Sequence, residues 1–295
     1  MTVNALGIYE KALPQDLTWE EKFNLVHDLG FNFLEFSIDE SDERLARLDW
    51  TKAQREEFRN AMWKTNSRIN TMMLSGHRRY PLGSADPKIR EKALEMMQKA
   101  INLAVDLGIR NIQLAGYDVY YEKKTLQSRE YFVENLRKCV EMAAEKLVVL
   151  SIETMDDPFI NSLTKIAHYK SMIQSPFLQG YPDLGNISAW PENDVAADLE
   201  NNFSEIAAVH LKDTLAVTPT FKGKFKEVPF GTGCVDFEGC LKLLTRLNYS
   251  GSYTIEMWTG TGDHAIEEVK QAKHFFDELF AKVGIEQEKV VETVY

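Results

Sequence analysis

LVVLSIETMDDPFINSLTKIAHYKSMIQSPFLQGYPD, residues 147–183, reads as one strand–helix–strand unit. LVVLSIE (147–153) is an apolar run of strand length that stops on Glu153, and LQGYPD (178–183) is a second that stops on Asp183. Helical periodicity fills 162–174 between them. Two short strands bridged by a helix lie parallel, because a hairpin needs only a tight turn. The pattern continues outward: EIAAVH (205–210) stops on His210 and GSYTIE (251–256) on Glu256.

Across the chain, strand-like runs occupy 4–9, 32–38, 69–75, 110–116, 147–153, 178–184, 206–211 and 252–257. Helical periodicity fills 18–29, 51–64, 87–107, 128–145, 162–174, 194–202, 236–248 and 263–283. In the third helix Ile89, Ala93, Met96, Met97, Ala100, Ile101 and Ala104 recur at three- and four-residue steps. Thr18, Asp86 before Pro87, Asn193 and Asp236 are N-cap candidates. Leu29-Gly30 and Leu107-Gly108 are C-terminal stops, glycine supplying the left-handed turn. Eight such units predict an α/β fold, a (β/α)8 TIM barrel. We expect a single domain over 1–295, with the barrel over about 4–283 and a polar tail over 284–295 that packs on a partner or stays loose. A doubly wound open sheet is the rival, but no G-x-G-x-x-G follows the first strand. The one long excursion, TLAVTPTFKGKFKEVPFGTGCV (214–235), follows the seventh strand, where a lid or substrate loop is expected.

Of 295 residues 44% are hydrophobic, enough for a large core, and 45 acidic against 34 basic residues give a net charge of -11. That balance speaks against nucleic acid as the partner, since phosphate neutralisation needs clustered cations. A small phosphorylated ligand remains compatible with it. Cys139, Cys234 and Cys240 lack C-x-x-C spacing, which fits a reducing cytoplasm. The N-terminal stretch does not read as a signal peptide, and no segment reaches the length and apolarity of a membrane span.

In a barrel, strand C-termini open into the mouth where catalysis occurs. Glu153, Asp183, His210 and Glu256 would meet there, on strands five to eight. Any one of them taken alone reads equally as a cap or a salt-bridge partner. Together they form a candidate divalent-metal site, because crowded carboxylates need a compensating cation. The ligand set suits Mn²⁺, Mg²⁺, Co²⁺ or Zn²⁺ without choosing among them. Such a metal can hold two sugar oxygens and stabilise an enediolate, while two glutamates exchange the neighbouring proton. Epimerisation next to a carbonyl and aldose–ketose isomerisation both fit.

LGIYEKAL (6–13), SIDESDERLARLDW (37–50), LSGHRRYPLGS (74–84), IETM (152–155), YPDLGNISAW (181–190), VHLKDT (209–214), VPFGTGCVDF (228–237) and IEMW (255–258) resemble the L-ribulose-5-phosphate (L-xylulose-5-phosphate) 3-epimerases of the xylose-isomerase-like superfamily. The resemblance runs from about residue 4 to 280. It implies Glu153, Asp183, His210 and Glu256 as metal ligands, with Glu153 and Glu256 also as the proton-transfer pair. It implies inversion at C3 between L-xylulose 5-phosphate and L-ribulose 5-phosphate, a place in L-ascorbate breakdown, and a homodimer. This chain has Thr232 where the family often has an acidic residue between two glycines, which bears on loop closure and not on the metal site.

His77, Arg78 and Arg79 follow the third strand and are candidate contacts to phosphate or hydroxyls, or simply a basic surface turn. Lys212 lies two residues past His210, hence on the same face, as a candidate substrate contact; Asp213 should point away and cap or support. Asp156 and Asp157 read as caps. His27, His168, His264 and His274 read as surface or packing residues. Lys222, Lys224 and Lys226 either close over a phosphate or are solvated, and Tyr9 and Trp190 either wall a sugar pocket or belong to the core. The other readings are an epimerase or isomerase of unphosphorylated ketoses, an abasic-site endonuclease, which would need more metal ligands and a basic face, and a non-catalytic sugar-binding barrel.

Overall fold

The computed structural model describes residues 3–259 and 263–290. Eight strands form one parallel sheet: β1 (Leu6–Tyr9), β2 (Phe33–Ile38), β3 (Ile69–Leu74), β4 (Asn111–Ala115), β5 (Val149–Glu153), β6 (Leu178–Tyr181), β7 (Ala208–Leu211) and β8 (Ser252–Ile255). Each strand pairs with its sequence neighbour, and β1 pairs with β8, except at the β6–β7 seam. There the backbone N–H of Ala207 donates to Gly180 O and that of His210 to Pro182 O, both at 2.9 Å. Pro182 has no N–H to return, so the seam closes through isolated bridges, one of them between Asp183 and His210.

A helix follows each strand: α1 (Trp19–Asp28), α2 (Lys52–Lys64), α3 (Pro87–Leu107), α4 (Leu126–Ala144), α5 (Leu163–Ile173), α6 (Val195–Asn201), α7 (Phe237–Arg246) and α8 (Asp263–Val283). Thr18 and Glu21 form a capping box at α1, and Asp86 caps α3 with Pro87 inside its first turn. Gly30 and Gly108 both sit at φ 79°, in the left-handed region. The cap of α6 is Asp194, one residue after the expected Asn193. The Asn193 amide instead donates to the Asn161 and Ile187 carbonyls, holding the chain that leads into the helix.

Strand alternation divides the residues between two environments. Leu34, Phe36 and Ile38 of β2, with Leu150 and Ile152 of β5 and Val209 and Leu211 of β7, belong to the apolar core. Along β2 the alternate positions are Phe33, Glu35 and Ser37, all buried. A side chain at Gly7 would meet the Phe33 ring at 2.2 Å, so glycine makes room for it. The same alternation sets Ser151 and Glu153 on β5, and Thr254 and Glu256 at β8, apart from the apolar outer face.

Two of the features outside the eight units fasten the chain to the barrel. The segment after β2 forms a short helix, Asp42–Leu45, and a 3-10 turn, Ala46–Asp49. It is held by Glu10, whose buried carboxylate accepts two hydrogen bonds from Arg47, at 2.7 and 2.9 Å, and lies 2.8 Å from Arg44 Nη1. At the opposite end of the barrel, Val3–Asn4 pairs in parallel with Glu286–Gln287. Asn32 Nδ2 donates to Glu288 O at 2.8 Å, and Ile285 joins the core. The described part of the tail therefore packs on its own barrel rather than hanging loose.

Candidate metal centre

The C-terminal ends of four consecutive strands bring the four predicted side chains together. Glu153 closes β5, Asp183 follows β6, His210 lies in β7 and Glu256 follows β8. All are at least 96% buried, and each offers one ligand atom within 4.8 Å of the others. His210 Nδ1 lies 2.9 Å from Glu153 Oε1, 3.8 Å from Asp183 Oδ2 and 3.9 Å from Glu256 Oε2. Asp183 also caps the short helix Leu184–Ser188, its Oδ1 accepting from Asn186 N at 2.6 Å. The cap fixes the carboxylate and leaves Oδ2 turned to His210.

Lys212 Nζ lies 2.8 Å from Glu256 Oε2 and donates to it. It is 3.2 Å from Asp183 Oδ2, but off any hydrogen-bonding direction, so that buried oxygen has no hydrogen bond. Three carboxylates around one ammonium and one imidazole, with an unsatisfied oxygen aimed inward, form a donor set that fits a divalent cation. The electrostatics are unequal. Burial and the neighbouring Glu256 charge raise the Glu153 pKa. Burial would raise Glu256 as well, but Lys212 and His210 outweigh it and hold that carboxyl low. Burial, with the Glu256 and Glu153 charges, pushes Asp183 up to about 7 against the opposing pull of Lys212.

The remaining predicted residues separate. Lys212 is in the mouth, as alternation required. Arg78 is there too, its guanidinium 5.4 Å from the Tyr117 ring and 5.3 Å from the Tyr120 ring, with Nε buried and unpaired. His77 is not. It lies in a 3-10 turn, Ser75–Arg78, that turns its ring onto α3, with Nε2 3.4 Å from Ala93 O. Burial lowers its pKa to about 4. The structure thus places the His77 ring against α3, because the turn sends successive side chains to different sides. Asp156 reaches the Tyr117 hydroxyl, while Asp157 accepts from Phe159 N at 2.8 Å as a cap.

The 214–235 segment is anchored rather than loose. Asp213 Oδ2 accepts from Gly231 N and Gly233 N, both at 2.9 Å, and Oδ1 from Thr214 N. Thr232 Oγ1 donates to Pro229 O. The Trp190 ring lies tilted against Phe225, centroids 5.9 Å apart, and so supports this segment, while Tyr9 is buried with its hydroxyl 2.9 Å from Ser37 Oγ. Lys226 Nζ lies 4.8 Å from the Trp258 ring. Much of its side chain remains in solvent, but crowding of the ammonium and the Arg78 charge hold its pKa low. A cavity of about 720 Å³ opens from Lys212 and Glu256 along Val228, Phe230, Trp258 and Phe275. A buried acid beside the site is not marked in the sequence: Glu35 of β2, whose Oε2 lies 2.8 Å from His210 Nε2. Its mid-strand position carries no strand-end signal; only the polar break in the apolar run FLEFSI could have marked it.

The family model described as xylose isomerase-like TIM barrel matches residues 23–279. A putative L-ribulose-5-phosphate 3-epimerase of Escherichia coli is 50% identical over 284 residues, covering 96% of this chain and 99% of that one. An L-ribulose-5-phosphate 3-epimerase of Shigella boydii is 48% identical over 280 residues, 95% of this chain and 96% of that one. Among solved structures, an L-ribulose 3-epimerase superposes with TM-score 0.75 at 18% identity, covering 96% of each chain, a likeness of fold.

Proposed function

The chain belongs to the xylose isomerase-like TIM barrel family and, within it, to the L-ribulose-5-phosphate 3-epimerases, and from that premise we propose that it interconverts L-xylulose 5-phosphate and L-ribulose 5-phosphate by inversion at C3. The observation that carries this reading is the convergence of Glu153, Asp183, His210 and Glu256 in one buried group. These four would hold the metal. When bound, a divalent cation would polarise the carbonyl beside C3 and so acidify the C3 proton. Glu153 and Glu256 stand on strands three apart around the barrel, which suits removal of that proton from one face and its return to the other.

Arg78 and Lys226 lie near enough for their charges to act on each other, the Asp156 charge acts on both, and among the described residues neither is in an ion pair; two neighbouring cations suit a phosphate dianion, and Lys212 is placed to meet the sugar oxygens once it is released from Glu256. The cavity is of a size that takes a pentose phosphate. The reading extends to L-ascorbate breakdown as the pathway and a homodimer as the assembly. Three free cysteines suit the cytoplasm, and among the described residues no helix is long and apolar enough to cross a membrane.

The test is proton exchange. Metal-loaded protein is incubated with L-ribulose 5-phosphate in D₂O and followed by NMR. Deuterium at C3 together with L-xylulose 5-phosphate is the expected result. Exchange with free L-ribulose but not with the phosphate ester would transfer the assignment to an epimerase of unphosphorylated ketoses.

A further inference from the structure

Glu35 has no solvent exposure, and both of its oxygens are committed. Oε1 accepts from the Tyr181 hydroxyl at 2.9 Å, and Oε2 lies 2.8 Å from His210 Nε2. The Tyr181 hydroxyl is itself 3.2 Å from Thr254 Oγ1. Among the described residues no lysine or arginine forms an ion pair with Glu35; its one ion-pair partner is the His210 imidazole. A buried carboxyl group is unfavourable in such a place unless its neighbours hydrogen-bond it. A strand that only had to fill the barrel would be better served by an apolar side chain at this position.

The two nitrogens of His210 face different surroundings. Nδ1 looks to Glu153, Asp183 and Glu256, while Nε2 meets Glu35. The Tyr181 ring stands edge-on to the imidazole, with centroids 4.6 Å apart at 63°, so one tyrosine touches both the ring and its acceptor. We infer that Glu35 is a positioning residue for the metal centre: it accepts the Nε2 proton of His210, fixes the ring plane, and so presents Nδ1 to the cation. A carboxylate in hydrogen-bond contact with Nε2 leaves the other nitrogen as the one with a lone pair to give. The consequence is general for histidine ligands, whose far nitrogen is usually tied to a carboxylate or carbonyl that sets tautomer and orientation. Tyr181, through Oε1, keeps Glu35 from rotating away. The inference rests on the reading of Glu153, Asp183, His210 and Glu256 as a metal centre.

The experiment is a Co²⁺ titration of the metal-free, full-length protein, read by calorimetry and by the visible d–d spectrum, on wild type, Glu35→Gln, Glu35→Ala and Tyr181→Phe. We expect Glu35→Ala to weaken Co²⁺ binding about 10- to 100-fold and to change the spectrum. Glu35→Gln should lie between, because its amide oxygen still accepts from Nε2. Tyr181→Phe should weaken binding severalfold with Glu35 still present, and it carries the test if Glu35→Ala fails to fold by circular dichroism. A purely structural role for Glu35 would lower the melting temperature of the metal-free protein and leave Co²⁺ affinity and spectrum of the folded variants at wild-type values; that result overturns the inference. If wild type itself takes up no Co²⁺, Mn²⁺, Mg²⁺ or Zn²⁺, the metal reading falls, and the role of Glu35 with it. Equal binding by wild type and the Glu35 variants removes Glu35 alone.

Discussion

At the scale of single residues, the two glutamates differ in their partners. Glu153 and Glu256 are both buried carboxylates, yet Lys212 donates only to Glu256. Replacing either with an isosteric amide keeps the packing and removes the exchangeable proton. Glu153→Gln and Glu256→Gln should each lose about 10²- to 10⁴-fold in turnover while keeping a wild-type circular dichroism spectrum. Near-normal C3 exchange in D₂O by either variant would remove the two-glutamate scheme. A second residue-scale prediction concerns the cations at the mouth. Arg78→Ala combined with Lys226→Ala should raise KM for the phosphorylated sugar about tenfold or more and leave turnover of the free sugar at the wild-type level. An equal loss on both substrates would mean that the pair shapes the pocket instead of holding phosphate. His77→Ala, by contrast, should act on stability, since its ring is packed against α3.

Elements place these residues, and two of their anchors can be tested. Glu10, just after β1, fastens the segment after β2 through Arg47 and Arg44. Burial would raise its pKa, but Arg47, Arg44 and Lys22 bring it from 4.5 down to about 2. A depressed folded pKa means the stabilisation is full above 4.5 and is lost as pH falls towards 2. It amounts to about 3 kcal/mol by the cost of one pKa unit. Glu10→Gln should therefore be markedly less stable than wild type in urea at pH 7, and the gap should narrow between pH 5 and pH 3; a gap that does not change with pH counts against the argument. Asp213 is the second anchor. Asp213→Ala frees the N–H groups of Gly231 and Gly233, and trypsin should then cut faster at Lys222, Lys224 and Lys226. Unchanged cleavage would show the loop to be held elsewhere. Elements were also the level at which the sequence was most readable. Strong periodicity located all eight strands and eight helices, because each must bury an apolar face. Short pieces such as Asp42–Leu45 and Leu184–Ser188 were not legible, having too few turns to show a period. Strand-end acids announced themselves by ending apolar runs. Glu35 did not, because a mid-strand polar residue in a barrel interior resembles ordinary alternation, and the direction of the His77 ring was not legible because a 3-10 turn breaks the strand's two-residue period.

On the scale of the molecule, the two ends of the barrel carry different work. The C-terminal mouth holds Glu153, Asp183, His210 and Glu256, and the opposite end carries the pairing of Val3–Asn4 with Glu286–Gln287. Residues 284–288 pass under the barrel, where Ile285 is buried beside Phe280 and the Glu288 backbone ties to Asn32 and Asn4. Arg68 adds an exposed pair to Glu288, which contributes little by itself. The burial of Ile285 is the larger contribution, about 2 to 3 kcal/mol. Ending the chain after Val283 removes all of these contacts and leaves every mouth residue in place. Stability and chemistry should then come apart: the truncated protein should melt several degrees lower, yet exchange the C3 proton at 25 °C at the wild-type rate. Conservation of activity would follow from the separation of the two barrel ends. A truncated protein that melts normally would mean the tail contributes no stability. One that melts lower and also loses its rate while still folded would mean that strain at the foot reaches the metal centre through the strands.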